Sequence, residues 1–284
     1  MPVENTGMSG ESEVTVQVDF SDDLAARPGL GSLPSQSLVE ASRLLRRWSR
    51  QPEVITSTLA FPILLLLLYD LVLDKSLGNT AGGTDPIYGF VPMIAVAGAM
   101  YGAMGTGQSL FGERESGLLR RFWVLPIHRA AGLIGRLLAE CGRALAATVV
   151  VIVIGMLLGL RFEEGWAGAL GMLVVPVIVI AGFTPVVVMV GVSKAGGQAV
   201  QLFAIVVLVG MFFNSGFVPV QNYPGWLQPI VRGQPMSCAI EAMRNFAVGG
   251  PLVVPVLQTV AWAVGLIAVF GALAVRGYRK AAEG

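Results

Sequence analysis

Apolar positions along this chain come in blocks long enough to cross a bilayer, divided by short polar segments. About twenty consecutive apolar residues span a ~30 Å hydrocarbon layer as a helix. Six such spans are expected, at about residues 54–73, 87–110, 144–160 and 167–191, from the turn at 193–197 to about 213, and at 252–275. Pro62 lies inside the first, with Asp70 and Asp74 near its far end. Gly98 and Gly102 stand four apart in the second, a spacing that permits close helix contact. Pro176 and Pro185 are expected to kink the fourth.

Two stretches carry an amphipathic rather than a uniformly apolar pattern. Over 37–50, Leu38, Ala41, Leu44, Leu45 and Trp48 recur at helical spacing while Arg43, Arg46, Arg47 and Arg50 take the other face. Ser37 and Glu40 stand at capping-box spacing. This pattern predicts an elbow helix, within residues 35–51, that lies in the membrane interface with its arginines toward anionic headgroups. The second stretch, 214–250, holds Pro219, Pro224, Pro229 and Pro235, too many for one helix. It reads as two short helices, the second starting near Pro235, presenting Met236, Ile240 and Met243 on one face and stopping at Gly249-Gly250. Tyr223 and Trp226 suit a membrane interface. An outer cap and a re-entrant hairpin both fit this pattern.

Between the second and third spans lies a charged island, residues 111–143. It contains Arg114, Arg120, Arg121, Arg129, Arg136, Arg143, Glu113, Glu115, Glu140 and the single histidine, His128. Such charge between apolar spans is expected to sit in water, and its arginine excess points to the cytoplasm. With both termini inside, 15 of the 19 basic residues fall on the cytoplasmic side, leaving Lys75, Arg161, Arg232 and Arg244 outside. Residues 1–34, acidic and dotted with Gly, Ser and Pro, read as a disordered tail, and 277–284 as a short cytoplasmic tail. The domain reading is thus tail, elbow, a permease domain over 52–276, and a second tail.

Composition agrees with the pattern. The chain is 54% hydrophobic and 13% charged, against roughly 25% charge in a soluble domain. The expected fold is therefore all-α and integral to the membrane. Cys141 and Cys238 fall on opposite faces in this topology, too far apart for a disulfide, and no zinc site is expected. None of the three lysines closes a glycine-rich phosphate loop, so this chain is not expected to hydrolyse ATP by that route. One histidine excludes an HExxH protease. No ionisable residue is expected in the middle of a span, which argues against ion coupling. The few polar candidates for a pathway, Thr106, Gln108, Ser109, Gln198, Gln201, Asn214 and Ser215, serve equally as glue between helices. No nucleic-acid partner is expected.

Several of these segments resemble one family, the membrane subunits of type 2 ABC exporters, in particular the daunorubicin-resistance-like permeases. The resemblance rests on Glu113-Arg114-Glu115-Ser116-Gly117-Leu118-Leu119-Arg120-Arg121-Phe122-Trp123-Val124-Leu125-Pro126. It rests also on Gly216 to Pro219, Tyr223 to Leu227, Pro229, and Pro235 through Arg244. It covers about residues 35–281. The resemblance implies a bacterial plasma-membrane permease, with no cofactor of its own, that works with two copies of an ATPase subunit supplying ATP and magnesium. A second permease, identical or homologous, would face it. Glu113, Arg114, Glu115, Gly117, Leu118, Arg120, Arg121 and Pro126 would form an ATPase-coupling helix, Gly117 allowing close approach and Pro126 ending the helix. Pro219, Pro224, Trp226, Pro235 and Arg244 would belong to the outer cap. Leu118 and Leu125, where the commoner family form has Thr, resemble a mycobacterial branch that exports envelope lipids. A complex lipid is therefore the expected cargo, drug efflux the alternative, and a scaffold or channel the reading outside transport.

Overall fold

The computed structural model describes residues 33–51, 60, 62–68, 71, 86–117, 129–216 and 218–283. Among them there are helices and turns and no strand. Eight helices follow in order: α1 (Leu33–Ser49), α2 (Ile87–Glu115), α3 (Arg129–Leu157), α4 (Trp166–Gly191), α5 (Gly196–Phe212), α6 (Gln228–Gly233), α7 (Pro235–Val248) and α8 (Val253–Glu283). A single 3-10 turn, Val220–Asn222, precedes α6. Residues 62–68 form a further helical segment that packs Leu66 into the core. The rest of the expected first span, with Asp70 and Asp74, lies outside the described residues, as do almost all of the acidic tail and the connection 118–128.

The bundle is built around α4. Its sequence is apolar on every face, and such a helix is stable only when surrounded. It touches α2, α3, α5, α7 and α8, and it runs through Pro176 and Pro185 without interruption. Small residues bring its neighbours in. A Cβ on Gly182 would lie 2.6 Å from the Cα of Ala263, so α4 and α8 meet backbone to backbone. A Cβ on Gly191 would lie 2.7 Å from the carbonyl oxygen of Gly107, which sets the same intimacy between α4 and α2. Close approach of this kind gains dispersion contact where lipid offers no hydrophobic drive.

Among the described residues four helices are long and apolar enough to cross a membrane: Ile87–Glu115, Ala131–Leu157, Trp166–Gly191 and Val253–Lys280. The apolar α5 has 17 residues, about 25 Å at 1.5 Å per residue, just short of a full crossing. Apolar side chains on α3, α5 and α8, among them Val149, Val153, Ile205, Val209, Leu257 and Val264, are exposed. Outward apolar faces of this kind belong in lipid rather than water.

Three boundaries differ from the sequence expectation. The second span runs on to Glu115 and not 110, the last to Glu283 and not 275, and the third begins at Arg129 rather than 144. Residues 111–115 and 129–143 of the charged island are therefore helix, and the short C-terminal tail is the last turns of α8. Backbone hydrogen bonding continues wherever side-chain charge can be neutralised or reach the surface, so charge alone does not end a helix.

The amphipathic α1 starts at Leu33, four residues before the expected cap. Ser37 does not cap it, because its hydroxyl donates back to the Leu33 carbonyl at 2.8 Å, and Glu40 pairs with Arg43 at 2.7 Å. Ala41, Leu44, Leu45 and Trp48 pack toward α3 around Ala139, while Arg43, Arg46, Arg47 and Arg50 are exposed. Leu38 departs from the expected stripe and is 61% exposed. Ser37, Ala41 and Leu44 follow the 3.6-residue period more closely, and Leu38 falls on the flank.

At the opposite end α7 forms as expected, with Pro235 in its first turn, where a missing N–H costs nothing, and Met236, Ile240 and Met243 buried. Gly249 ends it in the left-handed region at φ 67°. Gly249→Ala is expected to cost about 1 kcal/mol through that dihedral, seen as a lower unfolding temperature of the purified protein in detergent.

Candidate functional site

The end of the bundle where α2 stops and α3 starts, the loop end, concentrates the charged side chains. Gly117 turns the chain out of α2 at φ 70°, and a Cβ there would meet nothing within 4 Å. Within this chain its role is thus conformational rather than one of close approach. Leu118, Arg120, Arg121, Pro126 and His128 lie outside the described residues.

Glu113, Arg114 and Glu115 occupy the last turn of α2. Two of them reach across the bundle. Glu113 forms an ion pair with Arg136 of α3, and Arg114 donates from Nη1 to the Val192 carbonyl, 2.7 Å away, at the turn between α4 and α5. Glu115 has no such contact among the described residues and is exposed. On the far flank of α3, a Cβ on Gly135 would lie 2.7 Å from the Glu40 Cβ, so α1 presses directly on that helix. Helices α1, α2 and α3 and the α4–α5 turn are thereby tied together around one short stretch of chain.

Deeper along α3 the helix of the third span runs back over Glu140 and Arg143, which the sequence reading left in the polar island. Glu140 is 1% exposed and Arg143 8%. Arg143 donates to Glu140 Oε2 from Nε at 3.0 Å and from Nη2 at 2.5 Å, and Nη2 also reaches the Ala99 carbonyl at 3.1 Å. The Thr106 hydroxyl donates to the other carboxylate oxygen, Oε1. Fourteen residues separate Arg143 from the end of α3 at Leu157, about 21 Å along the helix. The pair therefore sits inside the apolar thickness rather than in water. Desolvated charge at that depth is tolerated only when paired and hydrogen-bonded, and here most of the demand is met. Within the pair, Arg143 Nη1 is buried with no acceptor among the described residues.

This pair also redefines the Gly98/Gly102 motif. A Cβ on Gly102 would overlap the Arg143 guanidinium, and one on Gly98 would lie 3.2 Å from Pro62 Cγ. The two glycines make room for an arginine and a proline ring, not for another backbone. Of the sparse polar residues expected to line a path or hold helices together, Thr106 joins α2 to α3, and Asn214 and Ser215 hold the cap. The Asn214 side chain donates to Met211 and accepts from the Gly216 amide at 2.7 Å. Ser215 donates twice to Ser237, from its amide to the hydroxyl at 3.2 Å and from its own hydroxyl to the carbonyl at 3.3 Å. Gln108, Gln198 and Gln201 are exposed.

The cap end gathers its expected residues unequally. Arg244 is drawn inward, donating to the Ser215 carbonyl at 2.8 Å; burial lowers its pKa below the ordinary arginine value, with the Glu241 carboxylate opposing. Pro219 opens the 3-10 turn, Pro224 accepts from the Leu227 amide at 2.8 Å, and Pro235 starts α7. Trp226 and Trp166 are both exposed, as aromatic residues in a belt at a membrane surface are. Cys141 and Cys238 are both free thiols.

Under the cap, α2, α4, α5, α7 and α8 enclose an almost wholly apolar cavity of about 300 Å³ that no sequence pattern announced. Its residues lie on five helices, each with an ordinary apolar face.

Comparison with known proteins agrees with this architecture. The chain is 38% identical over 247 residues, 87% of its own length and 89% of the relative's, to the probable doxorubicin resistance ABC transporter permease protein DrrC of Mycobacterium tuberculosis. It is 29% identical over 258 residues, 89% of each chain, to the daunorubicin resistance ABC transporter permease protein DrrB1 of Streptomyces coeruleorubidus. The ABC-2 type transporter family model matches residues 35–247. With that match over most of its length and a helical bundle of membrane-crossing length, the chain belongs to the ABC-2 type transporter family, the membrane subunits of transporters whose ATPase is a separate subunit.

Proposed function

We propose that this chain is the permease subunit of an ATP-driven exporter that moves hydrophobic or amphipathic, drug-like molecules out of the cytoplasmic leaflet. The observation that carries the reading is the clamp at the loop end. Glu113 and Arg114 hold the last turn of α2 to α3 and to the α4–α5 turn, directly before the 118–128 connection. A push on that connection by a closing ATPase would move three elements together. In this reading the connection is the coupling segment, Arg120 and Arg121 present it to the ATPase, and α1 is the elbow. Both termini are cytoplasmic, 62–68 belongs to the first of six spans, and α5 is the fifth. Two ATPase subunits bind ATP and magnesium, and a second permease completes the pathway.

The cargo class rests on two supports. Relatives over nearly the whole chain carry doxorubicin and daunorubicin resistance in their names, and the cavity beneath the cap is apolar. An envelope lipid shares the apolar character, and Leu118 and Leu125 favour it only through their likeness to a lipid-exporting branch.

Charge reversal tests the coupling. The double variant Arg120→Glu/Arg121→Glu, co-expressed with its ATPase, is expected to lose at least ten-fold in ATP-dependent doxorubicin uptake into inverted vesicles while inserting normally. Undiminished uptake would remove the coupling assignment. No uptake by the unaltered protein, together with loss of surface lipids on gene deletion, would shift the cargo to lipid.

A further inference from the structure

We infer that the cavity beneath the cap is a binding site for the flat ring system of a neutral aromatic molecule carrying a hydrogen-bond donor. The inference rests on the export reading and names the chemistry of its cargo. The cavity's volume, about 300 Å³, is twice the ~150 Å³ apolar cavity that accepts a benzene ring, so two or three fused rings fit. Four of its lining side chains are aromatic. Phe183 and Phe203 stack with centroids 5.3 Å apart at 18°, and Trp262 and Phe270 line it from α8. Offset stacking on such faces favours a planar guest over a flexible chain.

The polar atoms along the wall are selective. Trp262 Nε1 donates to the Gly233 carbonyl at 2.9 Å, and Thr259 Oγ1 donates to Pro255 at 2.8 Å. Gln234 Nε2 donates to Phe213 and to Ser237 Oγ. The donors are consumed within the protein, whereas acceptor lone pairs remain on Thr259 Oγ1 and on Gln234 Oε1, which faces Gly210. A guest with an O–H or N–H finds partners there. Among the described residues no charged side chain lines the cavity, so an anionic group would be desolvated without compensation there. Access is lateral: Val206 on α5 is 62% exposed and Trp262 on α8 41%, and both border the cavity.

The experiment uses the full-length chain in nanodiscs of neutral phospholipid, without nucleotide, and 9-anthracenemethanol as probe. Binding is read as anthracene emission sensitised by tryptophan. Saturable binding is expected, weakened at least ten-fold for 9-anthracenecarboxylate, which keeps the rings and replaces the donor with a negative charge. Gly210→Leu fills the cavity from a position where a Cβ would meet only Gln234 Oε1, at 3.9 Å, and Val206→Trp closes its exposed lip. Each should weaken binding at least ten-fold, and the second changes only a surface residue, so folding is not at stake. Equal binding by protein and both variants, equal binding of the carboxylate, or saturation of the site by phospholipid acyl chains that the alcohol cannot displace would each overturn the inference. Because no ATPase is present, these outcomes are separate from the uptake assay. Transport with no such binding discards this site alone, and binding with no transport discards the export reading alone.

Discussion

Replacing Glu140 by alanine is expected to lower the stability of this protein by about 3–5 kcal/mol, the usual cost of stranding one charge of a buried pair. The carboxylate accepts two hydrogen bonds from Arg143 and one from Thr106, and it is 1% exposed. Without it the guanidinium keeps only the Ala99 carbonyl, deep in an apolar bundle beside Gly102. Thermal unfolding in detergent, or the fraction remaining monodisperse after heating, measures the loss. The companion variant Glu140→Leu/Arg143→Met removes both charges and conserves volume, so it should recover most of the stability, since apolar replacement of a whole buried pair is often neutral or better. A Glu140→Ala protein within 0.5 kcal/mol of the parent would mean that the charge finds water or headgroups, and that the pair has no structural weight.

A second large effect is expected where helices touch without side chains between them. Gly182→Ala places its methyl 2.6 Å from the Cα and 3.0 Å from the Cβ of Ala263. Neither atom is the end of a flexible side chain, so α4 and α8 must separate, at a cost of about 1–3 kcal/mol typical of overpacking. Gly105→Ala is the control. That position on α2 has nothing within 4 Å, and relief of glycine's backbone entropy should stabilise by about 0.5–1 kcal/mol. Opposite signs for the same substitution would localise the effect to the α4–α8 contact. Matching signs would mean that the two helices are not held this closely.

The contrast between these two variants shows which properties are local. Glycine's conformational preference is set by the residue, but whether a methyl fits depends on a helix 81 positions further along the chain. The same division runs through the charged island. Glu113, Arg136, Glu140 and Arg143 are four charges within 31 residues of sequence, and read singly each calls for water. Glu140 and Arg143 are one turn apart, so their pairing was open to inspection. Their other partners, Thr106 and Ala99, are 34 and 44 positions away, and only the packing of α2 on α3 brings them near.

Apolar periodicity by itself determined the all-helical membrane architecture, the course of α4, and the stripe of α7 that buries Met236, Ile240 and Met243. The proline spacing and the two terminal glycines marked the start and end of α7, and the motif residues pointed to the family. Those features are legible because burial and backbone stereochemistry act on each residue or each turn separately. Only the tertiary structure decided where α3 begins, that Gly98 and Gly102 accommodate Pro62 and Arg143, that Glu113 and Arg114 clamp the loop end, and that five apolar faces leave a cavity between them. Each depends on what one helix presents to another. Pairing energy and shape complementarity belong to contacts between distant segments, and no local pattern carries them.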